Sequence, residues 1–136
     1  QTWRRFRRNH RRQSQPLENN RLDNYKLIHD SHEFICNYVS ENVTAITFNL
    51  GYLPGGDKSI KTNHLSTLKA VKDGLKLLVS GGIITLILYI GYPGGIEEAN
   101  ILEKFARTLD KSTYRSIKYD FINKDKSPYV IVIEKQ

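Results

Sequence analysis

VTAITFNLGYLPGGDKS, residues 43–59, is the stretch whose reading decides the fold. Its first eight residues, Val43 to Leu50, are rich in β-branched and apolar side chains and predict a strand. Gly51 to Lys61, with Pro54, Gly55 and Gly56, reads as the loop that leaves it. Beyond that loop Leu65, Leu68, Val71, Leu75 and Leu78 recur at spacings of three or four, which predicts a helix over about 63–79 that Gly81-Gly82 stops. Ile83 to Ile90 is nearly continuous in apolar residues, the pattern of a strand buried on both faces. Strand, loop, helix and buried strand together make an α/β unit with a parallel pair at its centre.

The same grammar extends in both directions. Upstream, Tyr25 to Ile28 reads as a short strand, and Ser31 as the N-cap of a helix carrying Phe34, Ile35, Tyr38 and Val39 on one face. Downstream, Gly91-Tyr92-Pro93-Gly94-Gly95 is a second glycine-rich loop, followed by an amphipathic helix over 96–109. A strand near 113–122, a turn at 123–128 and a last strand, Tyr129 to Glu134, end the chain. The order β-α-β-α-β-α-β-β predicts a mostly parallel sheet closed by an antiparallel hairpin. Both glycine-rich loops and Asp30-Ser31-His32-Glu33 then fall beyond the carboxyl ends of strands, where such sheets bind ligands.

The chain has 136 residues, one domain's worth, with 21 Lys plus Arg against 14 Asp plus Glu and a net charge of +7. Residues 1–24 hold seven arginines against Glu18 and Asp23, so most of the excess charge sits in a short N-terminal stretch. Residues 1–16 show no apolar periodicity and read as a basic, disordered arm; residues 17–136 read as the folded part. Methionine is absent and residue 1 is Gln, which reads as a processed product or a piece of something longer. The basic balance suits a polyanionic partner. A single cysteine, Cys36, excludes an internal disulfide and a cysteine-built zinc site, and points to a reducing cytoplasm; it reads as a small hydrophobe packed among Phe34, Ile35 and Tyr38. No apolar run is long enough to span a bilayer, so no membrane partner is expected. The four histidines show no metal-ligand spacing, and no metal is expected.

Two chemistries compete for the 49–59 loop. Gly51, Gly56, Lys58 and Ser59 nearly spell a phosphate-binding loop, but Asp57 breaks the register and sets a carboxylate where phosphates would sit. The other reading takes Asn49-Leu50-Gly51-Tyr52 as the working part, similar to the Asn-Pro-Pro-Tyr motif of amino-group methyltransferases. A neutral amine must aim its lone pair at an electrophilic methyl, so acceptors must hold its hydrogens. The Asn49 side-chain oxygen and a neighbouring backbone carbonyl supply such acceptors, and Tyr52 offers a ring for a base to stack on. A strand end with a turn-forming Asn accounts for the same four residues. Asp30 can accept the amino hydrogens of an adenine, or with Ser31 simply cap the following helix, and the two roles are compatible. His32 and Glu33 form either an acid–base pair or a solvated first turn.

Leu27 to Glu33, Phe48 to Ser59, Thr62, Thr67, and Tyr89 with Gly91, Pro93, Gly94, Gly95 and Glu98 resemble the small class I S-adenosylmethionine-dependent methyltransferases of the rRNA methylase family. Tyr119 to Asn123 also fits, so the resemblance runs from about Leu17 to the end. Characterised members methylate the aminomethyl group on a wobble uridine of tRNA. The resemblance implies S-adenosylmethionine as cofactor and tRNA as partner. It places Asp30, Ser31 and His32 near the adenine, Asn49 and Leu50 beside the methyl donor, and Tyr52, Pro54, Gly55, Gly56, Asp57 and Lys58 around the acceptor, with Asn49 and Tyr52 as the catalytic pair. Tyr92 stands in the second loop where the family has a His, and is expected to touch substrate. The family's glycine-rich cofactor loop has no counterpart upstream of Asp30. In a class I sheet of order 3-2-1-4-5-7-6, strands 1 and 2 are therefore missing, which leaves Val43–Leu50 with an open edge where a second copy of the chain could pair. The alternative to an enzyme is a catalytically inactive RNA-binding fragment of that family, in which the arginines supply affinity without sequence choice.

Overall fold

The computed structural model describes residues 25–51 and 64–136. A 3₁₀ turn, His32–Phe34, leads into a one-turn helix α1 (Ile35–Tyr38). Then follow β1 (Val43–Leu50), α2 (His64–Leu77), β2 (Leu78–Leu88), α3 (Gly95–Arg107), β3 (Tyr114–Tyr119) and β4 (Tyr129–Lys135). The four strands form one sheet in the order β1-β2-β4-β3, with β1 and β2 parallel and β4 antiparallel to both its neighbours. Position by position this is the 4-5-7-6 part of a class I methyltransferase sheet. The expected arm, residues 1–16, lies outside the described residues.

Both long helices cover the same face of the sheet. Phe48 and Leu50 of β1, Ile84, Leu86 and Leu88 of β2, and Ile131 and Ile133 of β4 point into it. They meet Ala70, Val71 and Leu75 of α2 and Ala99, Leu102 and Ala106 of α3. Each large side chain buried there contributes about 1.5–3 kcal/mol, so this face carries most of the stability. The other face alternates with it. Ala45, Thr47 and Asn49 share a face with Ile83, Thr85 and Ile87, and the Thr85 hydroxyl donates to Thr47 Oγ1 at 2.9 Å.

Four expectations are corrected. Tyr25 to Ile28 forms no strand, because no neighbouring strand among the described residues offers it a ladder. The helix predicted from Ser31 is a 3₁₀ turn and four α-helical residues; Ser31 makes no side-chain cap, and the turn buries His32 and Ile35 while Phe34 and Tyr38 stay exposed. Cys36 is exposed rather than packed among its neighbours. Gly81-Gly82 does not stop α2, which passes directly into β2 after Leu77; the pair lies inside the strand. With Val43 opposite Leu78 but Ala45 opposite Ile83, the ladder slips there, and Gly81 takes φ +82° at the irregularity.

Candidate functional site

The carboxyl ends of the two parallel strands lie side by side, Asn49 opposite Ile87 and Leu50 opposite Leu88. Leu50 is 1% exposed and its side chain belongs to the core, so what this residue can offer a ligand is backbone. Asn49 is half-buried on the opposite face of the strand, with its side-chain oxygen withdrawn from solvent. The chain then turns sharply at Gly51, whose φ of +123° is open to glycine and strained for other residues.

Tyr92 joins the two loops. A Cβ at Gly51 would lie 2.9 Å from Tyr92 Cε1 and 3.3 Å from its hydroxyl, and a Cβ at Gly95 would lie 3.0 Å from the same Cε1 and 2.5 Å from the Tyr89 carbonyl oxygen. The ring is therefore held between two glycines, one from each strand-to-helix loop. The Gly95 N–H donates to the Tyr92 carbonyl at 3.0 Å and sets the start of α3, whose first turn carries Glu97 and the buried Glu98. Carboxylates there suit the positive end of the helix.

Asp30 sits before the 3₁₀ turn, half-buried. The Ser31 N–H donates to one carboxylate oxygen at 2.7 Å, and the Tyr38 hydroxyl donates to the other. The Tyr38 bond first, and the Ser31 N–H second, hold the Asp30 carboxyl below the ordinary carboxylate range, while the same bond raises the Tyr38 phenol. A carboxylate with two donors keeps further lone pairs for a ligand. His32 is 2% exposed, its Nε2 lying 3.3 Å from Thr67 Oγ1 and 3.5 Å from Ser66 Oγ of α2, and its ring edge-on to Phe48 with centroids 6.0 Å apart. This imidazole ties the turn to the helix and the sheet; it is not part of a solvated first turn.

Between these groups and along the open edge of β1 runs a cleft of about 460 Å³, lined by His32, Thr47 and Asn49 among apolar residues that include Ile35, Val39 and Ala45. A mostly apolar cleft with a few convergent polar groups is what a nucleoside needs. With Asp30 two residues before the cleft-lining His32 as an acceptor for exocyclic amino hydrogens, the residues present fit the adenosyl end of S-adenosylmethionine. A second cavity, of about 550 Å³ near Tyr114, Arg115 and Glu134, lies at the opposite end of the strands and takes no part.

Of the residues singled out in the sequence, Asn49, His32, Leu50 and Tyr92 gather at this edge with Asp30 and Ser31. Tyr52, Pro54, Gly55, Gly56, Asp57 and Lys58 lie outside the described residues. Sequence reasoning missed Tyr38 as the partner of Asp30, and Ser66 with Thr67 as partners of His32. The first pair spans eight residues and the second more than thirty, so neither follows a local spacing rule. Among the described residues no cluster of His, Cys, Asp or Glu could hold a metal ion, and no helix is long and apolar enough to cross a membrane.

The model of the family described as "Putative rRNA methylase" matches residues 8–135. The tRNA (mnm5s2U34)-methyltransferase, chloroplastic, of Arabidopsis thaliana is 40% identical over 113 residues, 82% of this chain and 41% of that protein. The crystal structure of a "putative rRNA-methylase" from Clostridium thermocellum superposes with a TM-score of 0.87 at 38% identity, covering 90% of this chain and 67% of that one. A methyltransferase from Streptococcus mutans solved in complex with SAH gives 0.83 at 34% identity, covering 90% and 68%. The chain thus spans under half the length of the curated plant relative.

Proposed function

The chain belongs to the rRNA methylase family, and on that premise we propose that the protein uses S-adenosylmethionine to methylate an amine on RNA, the aminomethyl group of a tRNA wobble uridine. The observation that carries the proposal is Asn49 at the carboxyl end of β1, beside the Gly51 bend and the cleft that His32 and Asn49 share. The activity for which the plant relative is named supports the choice of acceptor, and the SAH held by the Streptococcus mutans structure supports the choice of cofactor.

A bound donor supplies a methyl carried on a sulfonium, already a good leaving group, so the protein's task is proximity and orientation. The Asn49 side-chain oxygen and a neighbouring backbone carbonyl accept the two hydrogens of the neutral amine and turn its lone pair toward the methyl. With the donor bound, the amine nitrogen would take the methyl as the methyl–sulfur bond breaks, and would pass its surplus proton to solvent. Asp30, kept ionised by Tyr38 and Ser31, accepts the adenine amino hydrogens. Tyr52 provides the ring on which the uracil stacks, and Tyr92, pinned between Gly51 and Gly95, fixes the distance between the loops on either side of the acceptor.

A second reading is favoured by one observation, the seven arginines within residues 1–24. In it this chain alone binds RNA without transferring a methyl. Titrating S-adenosylmethionine into the chain separates the two. Tight one-to-one binding removes the second reading. No binding, together with salt-sensitive tRNA association that disappears when residues 1–12 are deleted, removes the enzyme reading for this chain. In either reading the edge of β1, which has no strand beside it among the described residues, suits a second copy of the chain.

A further inference from the structure

The β3–β4 corner lies at the same end of the sheet as the candidate site, because Tyr119 pairs with Val130 while the neighbouring Tyr129 pairs with Leu88, the last residue of β2. It also approaches the second glycine-rich loop: the nearest atom to a Cβ placed on Gly91 is the Lys126 carbonyl oxygen, 3.9 Å away. The corner is unusual for a solvent-facing hairpin. Tyr119 is 71% exposed, Phe121 52%, and Ile122 fully exposed, three large apolar side chains within four residues.

Positive charge is interleaved with these rings. Lys124 Nζ stands 5.1 Å from the centre of the Phe121 ring. Neither Lys124 nor Lys126 makes an ion pair among the described residues, whereas Lys118 is engaged with Glu103 at 3.3 Å and Asp120 at 3.7 Å. Lys126 holds φ +57°, a conformation that L side chains other than Asn and Asp seldom take, and so keeps the corner in a defined shape. Exposed aromatic rings beside lysines that make no ion pair among the described residues are the combination that binds single-stranded nucleic acid, rings stacking on bases and ammonium groups meeting phosphates. A partner protein would need carboxylates placed opposite both lysines, whereas the backbone of any RNA strand supplies phosphates there.

We propose that Tyr119, Phe121, Lys124 and Lys126 form a platform for single-stranded RNA, on which nucleotides next to the modified one stack as that nucleotide enters the site. This rests on the RNA-modifying reading above. It adds a surface to hold the neighbouring bases.

The test is binding of a fluorescent anticodon stem-loop RNA, followed by anisotropy across a salt series. Phe121→Leu is expected to weaken binding about tenfold, and Phe121→Trp to restore it, because stacking needs a ring and not merely an apolar side chain. Lys124→Ala with Lys126→Ala should flatten the dependence of log K on log salt by about 1.4, roughly 0.7 for each phosphate no longer neutralised. If the wild type binds the RNA and Phe121→Leu matches it within twofold, the platform is overturned while the RNA reading stands. If the wild type binds no RNA, both fall. A Phe121→Leu protein that keeps its RNA affinity but loses self-association in sedimentation overturns the platform and assigns the corner to a protein contact.

Discussion

Gly51 and Asp30 show what single residues do at this edge. Gly51→Ala places a Cβ 2.9 Å from the Tyr92 ring in a backbone conformation of φ +123°. The expected cost is about 1–3 kcal/mol of stability, measured by urea denaturation. A companion variant, Tyr92→Ala, removes the ring contact but not the strain, so Gly51→Ala should remain destabilising in that background. At Asp30 the folded-state carboxyl is depressed, so its contribution to stability is present above the ordinary carboxylate range. It is lost as pH falls through the lower folded value. Tyr38, whose phenol is raised, contributes below its ordinary value and loses that contribution as pH rises past the folded one. Tyr38→Phe should therefore move the Asp30 titration up toward its ordinary value in a carboxylate NMR experiment. An unmoved Asp30 would show that the Tyr38 bond is not what holds it.

Elements are legible where the apolar pattern is long, and illegible where long-range partners decide. Residues 64–77 and 95–107 are helices as their three-and-four spacing predicts, and Val43–Leu50 is a strand. Tyr25–Ile28 carries equally β-prone residues but has no ladder to join, and propensity alone does not make a strand. Gly81-Gly82 resembles a helix stop in sequence, yet it accommodates a slip between β1 and β2 that depends on where Val43 lies. The candidate site divides in the same way. Asn49 and Gly51 announce themselves by their place after a β-rich run, whereas the link from His32 to α2 needs the folded chain. That link is testable. Thr67 is fully buried with its hydroxyl 3.3 Å from His32 Nε2. Thr67→Val keeps the shape but removes a partner from a buried polar ring, and should cost about 1–3 kcal/mol by thermal or urea melting. Leu102→Ala, which opens a cavity where α3 meets the sheet, should cost about 2–5 kcal/mol and gives the scale for comparison.

For the whole molecule the tension is between a well-packed half and an open one. One face of the sheet is closed by α2 and α3, but the outer edge of β1 has no strand beside it among the described residues, and the cleft of about 460 Å³ runs along it. An edge strand with free N–H and C=O groups and apolar flanks pairs with whatever strand is available. A second copy of the chain, proposed above as the partner at this edge, supplies such a strand. Self-association through β1 is therefore expected to grow with protein concentration in sedimentation velocity. Ala45→Lys places a charge on this edge, at an exposed position of β1 that is not in the core, and should return the protein to monomer with its melting temperature nearly unchanged. An Ala45→Lys protein that still dimerises would place the contact elsewhere. S-adenosylmethionine affinity then becomes informative, because pairing across β1 and filling the cleft beside Asn49 draw on the same surface. If both use it, dimerisation and cofactor binding must be linked, and raising protein concentration should shift the apparent affinity in wild type but not in Ala45→Lys.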